Sequence, residues 1–442
     1  MTDNYKSTNV FLLRRIGLAP SKRLLTFLIS AIFITLPFGY AYNSVAIVLF
    51  VGYSFLSYKK QNISVSYVLL APIALYMLMV ASIAWSIDVP LTVKALSKEA
   101  ALFFIPIAFF FNRKVISISR RGILKGFSIV MCFFAFFYFL RAMYRYFEGG
   151  NIGVFFYNEL STPIVSAVYL SAIFAIAYYY FLSVKNKRFF DYLGLVIMMV
   201  MIGLLMAKVT IAVSVLLTAV YISFFASVPK KTRIAGAAIF VVLGMSLVYI
   251  SRTTTLFPAE YTTNIPEMEK LAEEKIKLNK VTPHEAWSKQ AFSENDYFNG
   301  TAFRIYQARI FGELVQEEGK IVTGYGLNAS IKKIEEKSKE HNVFEGGVLN
   351  QRYARQNYHN QYIEAFSDLG ILGLLLVLVM VLINLKKSLS DKDFVHMAFA
   401  FLMIALFLTE SFLWRQRGVV LFILLYCLFN IKLPEKSGKI TL

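Results

Sequence analysis

Residues 359–373 read His359-Asn360-Gln361-Tyr362-Ile363-Glu364-Ala365-Phe366-Ser367-Asp368-Leu369-Gly370-Ile371-Leu372-Gly373, and the change of character inside this stretch decides the fold. Its first half closes a polar segment that starts near Ser251, the long polar segment of an otherwise apolar chain. Its second half opens an apolar run. An imidazole about one and a half helical turns ahead of such a run belongs at a water–lipid boundary. Gly370 and Gly373, three residues apart, are expected on one face of the entering helix, where they permit close backbone packing.

Working outward, composition gives the same answer. Of 442 residues, 57% are hydrophobic and only 17% charged, with a mean hydropathy of +0.58. Soluble globular chains average about 45–50% apolar and 25% charged, so these values mark a polytopic membrane protein. The net charge of +19 raises the question of nucleic acid. The basic residues sit in short clusters between apolar runs, however, which is the positive-inside signature and needs no nucleic-acid partner. Cys132 and Cys427 both fall within apolar runs and make a disulfide framework an unsuitable reading. The first apolar run follows a basic stretch and leads into a second with no small-residue cleavage pattern, so it reads as a retained signal anchor.

Apolar runs place spans at 24–40, 43–57, 66–84, 99–111, 126–141, 163–183, 190–207, 209–227 and 234–250. After the polar segment come 369–386, 394–410 and 418–431, twelve in all. The expected fold is therefore an all-α integral membrane protein. It comprises nine helices in 1–250, one large helical loop domain in 251–368, and three helices with a tail in 369–442. Basic breaks occur at Arg14-Arg15 with Lys22-Arg23, Lys59-Lys60, Arg113 to Lys125, Lys185 to Arg188, Lys230 to Arg233, Lys386-Lys387 with Lys392, and Lys432 to Lys439. All fall on one side if every run spans. Both termini are then cytoplasmic and the loop domain is outside, periplasmic in the inner membrane of a Gram-negative cell.

Three groups of cations fall on the other side. Arg141 and Arg145 end the fifth span, Lys208 sits between the seventh and eighth, and Arg415 and Arg417 lie between the last two. A single such residue snorkels to the interface without further meaning. Several at one depth, on the side disfavoured for cations, point to an anion at the outer surface. Within the loop, Pro266 to Lys280 and Thr301 to Glu318 read as helices. Gly319 ends the second and Gly324-Tyr325-Gly326 makes a turn. Asn328 is placed to cap a third helix running to Glu340. Arg304, in the first turn of its helix, opposes the dipole there, so its reason lies outside that helix.

The chemistry narrows by residue type. His284, His341, His359 and His396 are scattered, without metal-ligand spacing, and no phosphate-cradling or dinucleotide Gly-rich motif is present. What remains is one interfacial histidine with interfacial arginines and a lysine. Such a set suits group transfer from a pyrophosphate leaving group. The cations offset developing charge while a neutral imidazole takes a proton from the attacking hydroxyl. Guanidinium grips phosphate oxygens bidentately.

The pattern His359-Asn360, nine residues, then Gly370-x-x-Gly373 at the end of a large outer loop resembles the O-antigen ligase family. O-antigen polymerases and bacterial protein O-oligosaccharyltransferases belong to the same superfamily. Arg304 followed by Gly324-Tyr325-Gly326, and Ala84-Trp85-Ser86 with Asp88, extend the likeness. The resemblance implies a GT-C-like fold and an undecaprenyl-pyrophosphate-linked glycan donor. It also implies a lipid A-core or glycan acceptor and an inverting, metal-independent transfer with no cofactor. It makes His359 the base or acceptor-orienting residue, with Asn360 beside it as a substrate-binding residue and Arg304 and Lys208 on the pyrophosphate. Lys208 departs from the arginine usual in the family and lacks the planar fork. Arg141, Arg415 and Arg417 join the anion-binding set from the charge argument alone. Ligation onto a lipid A-core is the first reading, polymerisation from the same donor the second, and protein O-glycosylation the third. A lipid-linked-sugar flippase is the rival of another class; it calls for charges near mid-membrane and interrupted helices in corresponding halves.

Overall fold

The computed structural model of the protein describes residues 21–57, 67–226, 229, 231, 279–293, 295–343 and 353–430. The expected ninth span at 234–250, and all but the end of the helix expected at Pro266 to Lys280, lie outside them. About 80% of the described residues are helical. Among the described residues fifteen α-helices run in chain order. They are α1 Lys22–Thr35, α2 Tyr40–Leu56, α3 Tyr67–Ala81, α4 Val89–Glu99, α5 Ala101–Gly149, α6 Tyr157–Leu160, α7 Ala167–Ser183, α8 Phe189–Leu204, α9 Lys208–Val220, α10 Pro283–Ser288, α11 Gly300–Glu318, α12 Ser330–Glu340, α13 Gln361–Asp391, α14 Phe394–Thr409 and α15 Gln416–Asn430. Two short parallel strands, β1 Asn279–Val281 and β2 Asp296–Phe298, lie in the loop domain, where only helix was expected.

Among the described residues four stretches are helical, long and apolar enough to cross a membrane: Tyr67–Ala84, Arg120–Gly149, Lys208–Phe225 and Gln361–Asp391. Five shorter apolar helices, α2, α7, α8, α14 and α15, accompany them. This is the build of an all-α membrane protein. Every residue of α15 from Arg417 to Asn430 is buried, as is most of α7, so these two helices form the centre of the bundle. Phe133, Phe136, Phe189, Phe190, Val48 and Leu382 are exposed on outer faces. Apolar surface outside as well as inside is what a lipid solvent requires.

Two boundaries differ from the sequence reading for identifiable reasons. The basic break from Arg113 to Lys125 is helix, part of α5, which changes direction at Asn112 (φ −123°, ψ 17°). Ile116, Arg120, Ile123, Leu124 and Phe127 are buried at helical spacing, so this break is amphipathic and lies on the bundle. The second concerns α13, which starts at Gln361 rather than 369. Gln361, Glu364, Ser367 and Asp368 are polar yet buried against protein, and hydropathy alone assigned them to the loop.

The bundle has two distinct ends. At one, Arg120 pairs with Asp393 at 2.5 Å and Lys387 donates to the Asn430 carbonyl at 2.9 Å. Tyr221, at the end of α9, meets Phe394, at the start of α14. These helices are thus antiparallel, so Lys208 and Glu410 both lie at the opposite end. The loop domain sits on that end, with its own core of Val281, Phe298, Phe303, Tyr306, Ile310 and Tyr358.

Gly370 joins domain and bundle. Its φ of 68° and ψ of −165° interrupt α13, and a Cβ there would overlap the Val322 carbonyl. The two glycines therefore do not share one face of a regular helix; Gly370 bends the chain so that 321–327 can enter. Ile371 N–H donates to the Ile321 carbonyl (2.8 Å), Tyr325 N–H to Ser367 (2.9 Å) and Gly326 N–H to Asp368 (2.8 Å). Gly326, at φ +98°, lies where a Cβ would come within 2.5 Å of Ser86 Cβ. Ile87 N–H reaches the Tyr325 carbonyl, and the Trp85 indole reaches Thr323. Three separate glycine- and tryptophan-bearing segments of the sequence thus meet at one junction.

Candidate functional site

The site forms where three chain ends converge: the start of α11, the start of α13 and the end of α14. Asn299 caps α11 by accepting from Thr301 and Ala302 N–H. Asn360 caps α13 by accepting from Tyr362 and Ile363 N–H, and its amide donates to the Leu408 carbonyl at 3.1 Å. Asn360 is thus a positioning residue whose polar atoms serve the two helix ends. His359 precedes it in the left-handed region (φ 48°), a strained backbone that turns the imidazole toward α14.

Glu410 is the centre. Its Oε1 lies 2.6 Å from Arg304 Nη2 and its Oε2 lies 3.2 Å from His359 Nδ1. Arg304 also donates from Nε to the Thr409 carbonyl (2.7 Å) and from Nη1 to Gly300 (2.8 Å). The last carbonyls of α14 and an anion beyond them explain an arginine that its own helix does not favour. Among the described residues three of its five N–H groups have partners and two remain, on a side chain 35% exposed. Burial raises the Glu410 carboxyl pKa, but the His359 bond, and the charges and bond from His359 and Arg304, outweigh this. They hold it below the ordinary range.

His359 makes a second contact, 3.1 Å from Nε2 to Gln356 Oε1, and packs edge-on against Phe303. Both ring nitrogens therefore face side-chain oxygens, Glu410 Oε2 at Nδ1 and Gln356 Oε1 at Nε2, which fix the plane of the ring.

The other expected anion contacts lie at the same end, with different partners. Lys208 is the exposed first residue of α9, and Thr210 beside it bonds Ser171 at 3.0 Å. Arg141 donates to the Ser161 carbonyl (2.8 Å), while Arg145 pairs with Glu159 (2.6 Å), so both fasten α6. Arg417 is 5% exposed and spends its fork on the carbonyls of Leu36, Ile164 and Phe38, at 2.6, 2.7 and 2.7 Å. The anion role expected for it gives way to a structural one, because its donors point into the bundle. Arg415 is exposed, its guanidinium 5.8 Å from the Trp414 ring. Asn328 does not cap α12; it is left-handed (φ 58°), and Ala329 takes the cap position.

One residue of the site, Glu410, escaped the sequence reading although it carried a signal, a lone acid closing an apolar run next to outer cations. No protein-family model matches the chain, and no curated protein matches it.

Proposed function

We propose that this protein is an O-antigen ligase-like glycosyltransferase. It transfers a glycan from a polyprenyl-pyrophosphate carrier to a lipid A-core acceptor at the outer face of the inner membrane. The observation that carries the reading is the shared carboxylate of Glu410. It joins Arg304 and His359, which are 55 positions apart in the sequence and were chosen for phosphate and proton chemistry respectively. In the full proposal twelve spans form a GT-C-like membrane domain, both termini are cytoplasmic and the loop domain is periplasmic. Arg120, Lys187 and Lys387, one from each of three basic breaks, lie at the bundle end opposite the site and support that orientation.

In this reading the two remaining Arg304 N–H groups, with Lys208 as the second cation, meet the pyrophosphate oxygens. They offset the charge that develops as the glycosyl bond breaks. His359 Nε2 takes the proton from the acceptor hydroxyl as that oxygen attacks the anomeric carbon. Glu410 holds the ring and stabilises the imidazolium formed. Arg304 and Glu410 already pair, so donor oxygens would join an existing ion pair. Arg304→Lys and Arg304→Ala variants, assayed for transfer in a complemented deletion strain, test this. The fork is required if Arg304→Lys is as impaired as Arg304→Ala, and wild-type activity in Arg304→Lys would refute bidentate phosphate contact.

A further inference from the structure

Trp414 lies four residues beyond Glu410, at the end of the short turn Phe412–Trp414. Four residues of chain reach at most about 14 Å, so this indole is close to the site just described. Its Nε1–H donates to Asn328 Oδ1, and Asn328 N–H is held by Asp368 Oδ2 at 2.7 Å. The ring is therefore locked to the Gly370 junction. Over it stand two cations from different elements: Lys98 Nζ at 5.0 Å from the ring centroid and Arg415 Cζ at 5.8 Å.

Among the described residues neither cation makes an ion pair; Glu99, next to Lys98 in the chain, is buried with one carboxyl oxygen unpartnered, and the other acids around the site are engaged elsewhere. Asp88 pairs with Lys332 at 2.5 Å, Glu410 with Arg304 and His359, and Glu364 accepts from Ser411 and Tyr358. Burial lowers the Lys98 ammonium pKa; Glu99 pulls it back up, and Lys94 and Arg415 push it down again. Two like charges converging on one fixed ring repel each other, and an anion between them relieves that repulsion. A phosphomonoester, with about −1.5 to −2 charge at neutral pH, matches two cations better than a carboxylate does. An indole rigid on one side offers an apolar floor for the C–H face of a sugar.

We propose that Lys98, Trp414 and Arg415 form a binding site for a phosphorylated sugar. Placed a few residues from His359's partner, it is the acceptor side of the reaction; the acceptor role rests on the transferase reading, and the binding itself does not.

The test is calorimetric titration of the full chain in phosphatidylcholine nanodiscs. The probes are an oligosaccharide carrying one phosphomonoester and the same oligosaccharide after phosphatase treatment. Wild type should bind the phosphorylated form at least about tenfold more tightly, as one charge-assisted contact of roughly 1.4 kcal/mol gives. The Lys98→Gln/Arg415→Gln variant should lose that preference while keeping its melting temperature. Equal binding of the two probes, or none, by wild type would overturn the proposal, as would a preference that survives in the variant. Nanodiscs containing phosphatidylglycerol separate the two sources of phosphate. A preference that persists there supports the sugar, and one abolished by the anionic lipid assigns the site to a lipid headgroup instead. Because His359→Ala removes the proposed base without touching this cluster, loss of transfer and loss of sugar binding are separately readable.

Discussion

With one oxygen 2.6 Å from Arg304 and the other 3.2 Å from His359, the Glu410 carboxylate fixes the geometry of both groups. Replacing it by glutamine keeps the shape and removes the charge. Transfer by Glu410→Gln should fall about 10²-fold, the scale of a mis-set acid–base group, in a radiolabelled-glycan assay on membranes. A pH effect follows from the same pair. The folded-state pKa of Glu410 lies below its ordinary value of 4.5, so its stabilisation is fully present above that value. It is lost as pH falls through the folded pKa. Wild type should therefore lose melting temperature more steeply below pH 4.5 than Glu410→Gln, and parallel acid limbs would contradict the ion pair. Glycines make the second residue-scale case. Gly370→Ala meets the Val322 carbonyl in a conformation L residues avoid, and should cost about 3 kcal/mol or more, with little protein reaching the membrane. Gly312, mid-helix in α11 with open space around its Cα, should instead gain about 0.5–1 kcal/mol as Ala in thermal unfolding.

At the scale of elements, the short loops between helices are held by side chains given to backbone carbonyls. Arg417 is the fullest instance, joining α15 to the residues after α1 and before α7. Each buried carbonyl left without its donor costs about 1–3 kcal/mol. Arg417→Met should therefore lower the melting temperature and accumulation sharply, with transfer per folded molecule retained; intact stability would restore a ligand role. The elements were legible in the sequence where periodicity or apolar length speaks alone. Helix α11 ends at Gly319 as expected, and α7, α8 and α14 follow their apolar runs closely. Illegible were the features that tertiary contact creates. Polar residues at the start of α13 are buried against the loop domain and the turn after α14, and a basic break is amphipathic helix whose Arg120 pairs with Asp393. Gly370 was read correctly as a place of close backbone approach, but the approaching segment is a loop and the helix breaks to admit it. His359 and Arg304 were visible as interfacial oddities. That a glutamate joins them depends on how α14 ends, which no local pattern encodes.

The described part of the molecule is a helical bundle with apolar faces outside, Arg120, Lys187 and Lys387 at one end and the loop domain with the candidate site at the other. That polarity predicts labelling. A cysteine introduced at Ser288, in α10 of the loop domain, should react with an impermeant maleimide on intact spheroplasts. One at Lys185, in the basic break after α7, should react only after permeabilisation. The reverse pattern would invert the protein and place the site in the cytoplasm. The central claim is that His359, steered by Glu410 beside Arg304, moves glycan from a lipid carrier to core. Its most direct test is the gel profile of lipopolysaccharide from a strain lacking this chain and complemented with wild type or His359→Ala. The account predicts a full ladder with wild type and core-only bands with His359→Ala, long glycan accumulating on the carrier. A core bearing a single repeat unit would identify a polymerase instead, and a full ladder from His359→Ala would contradict the account.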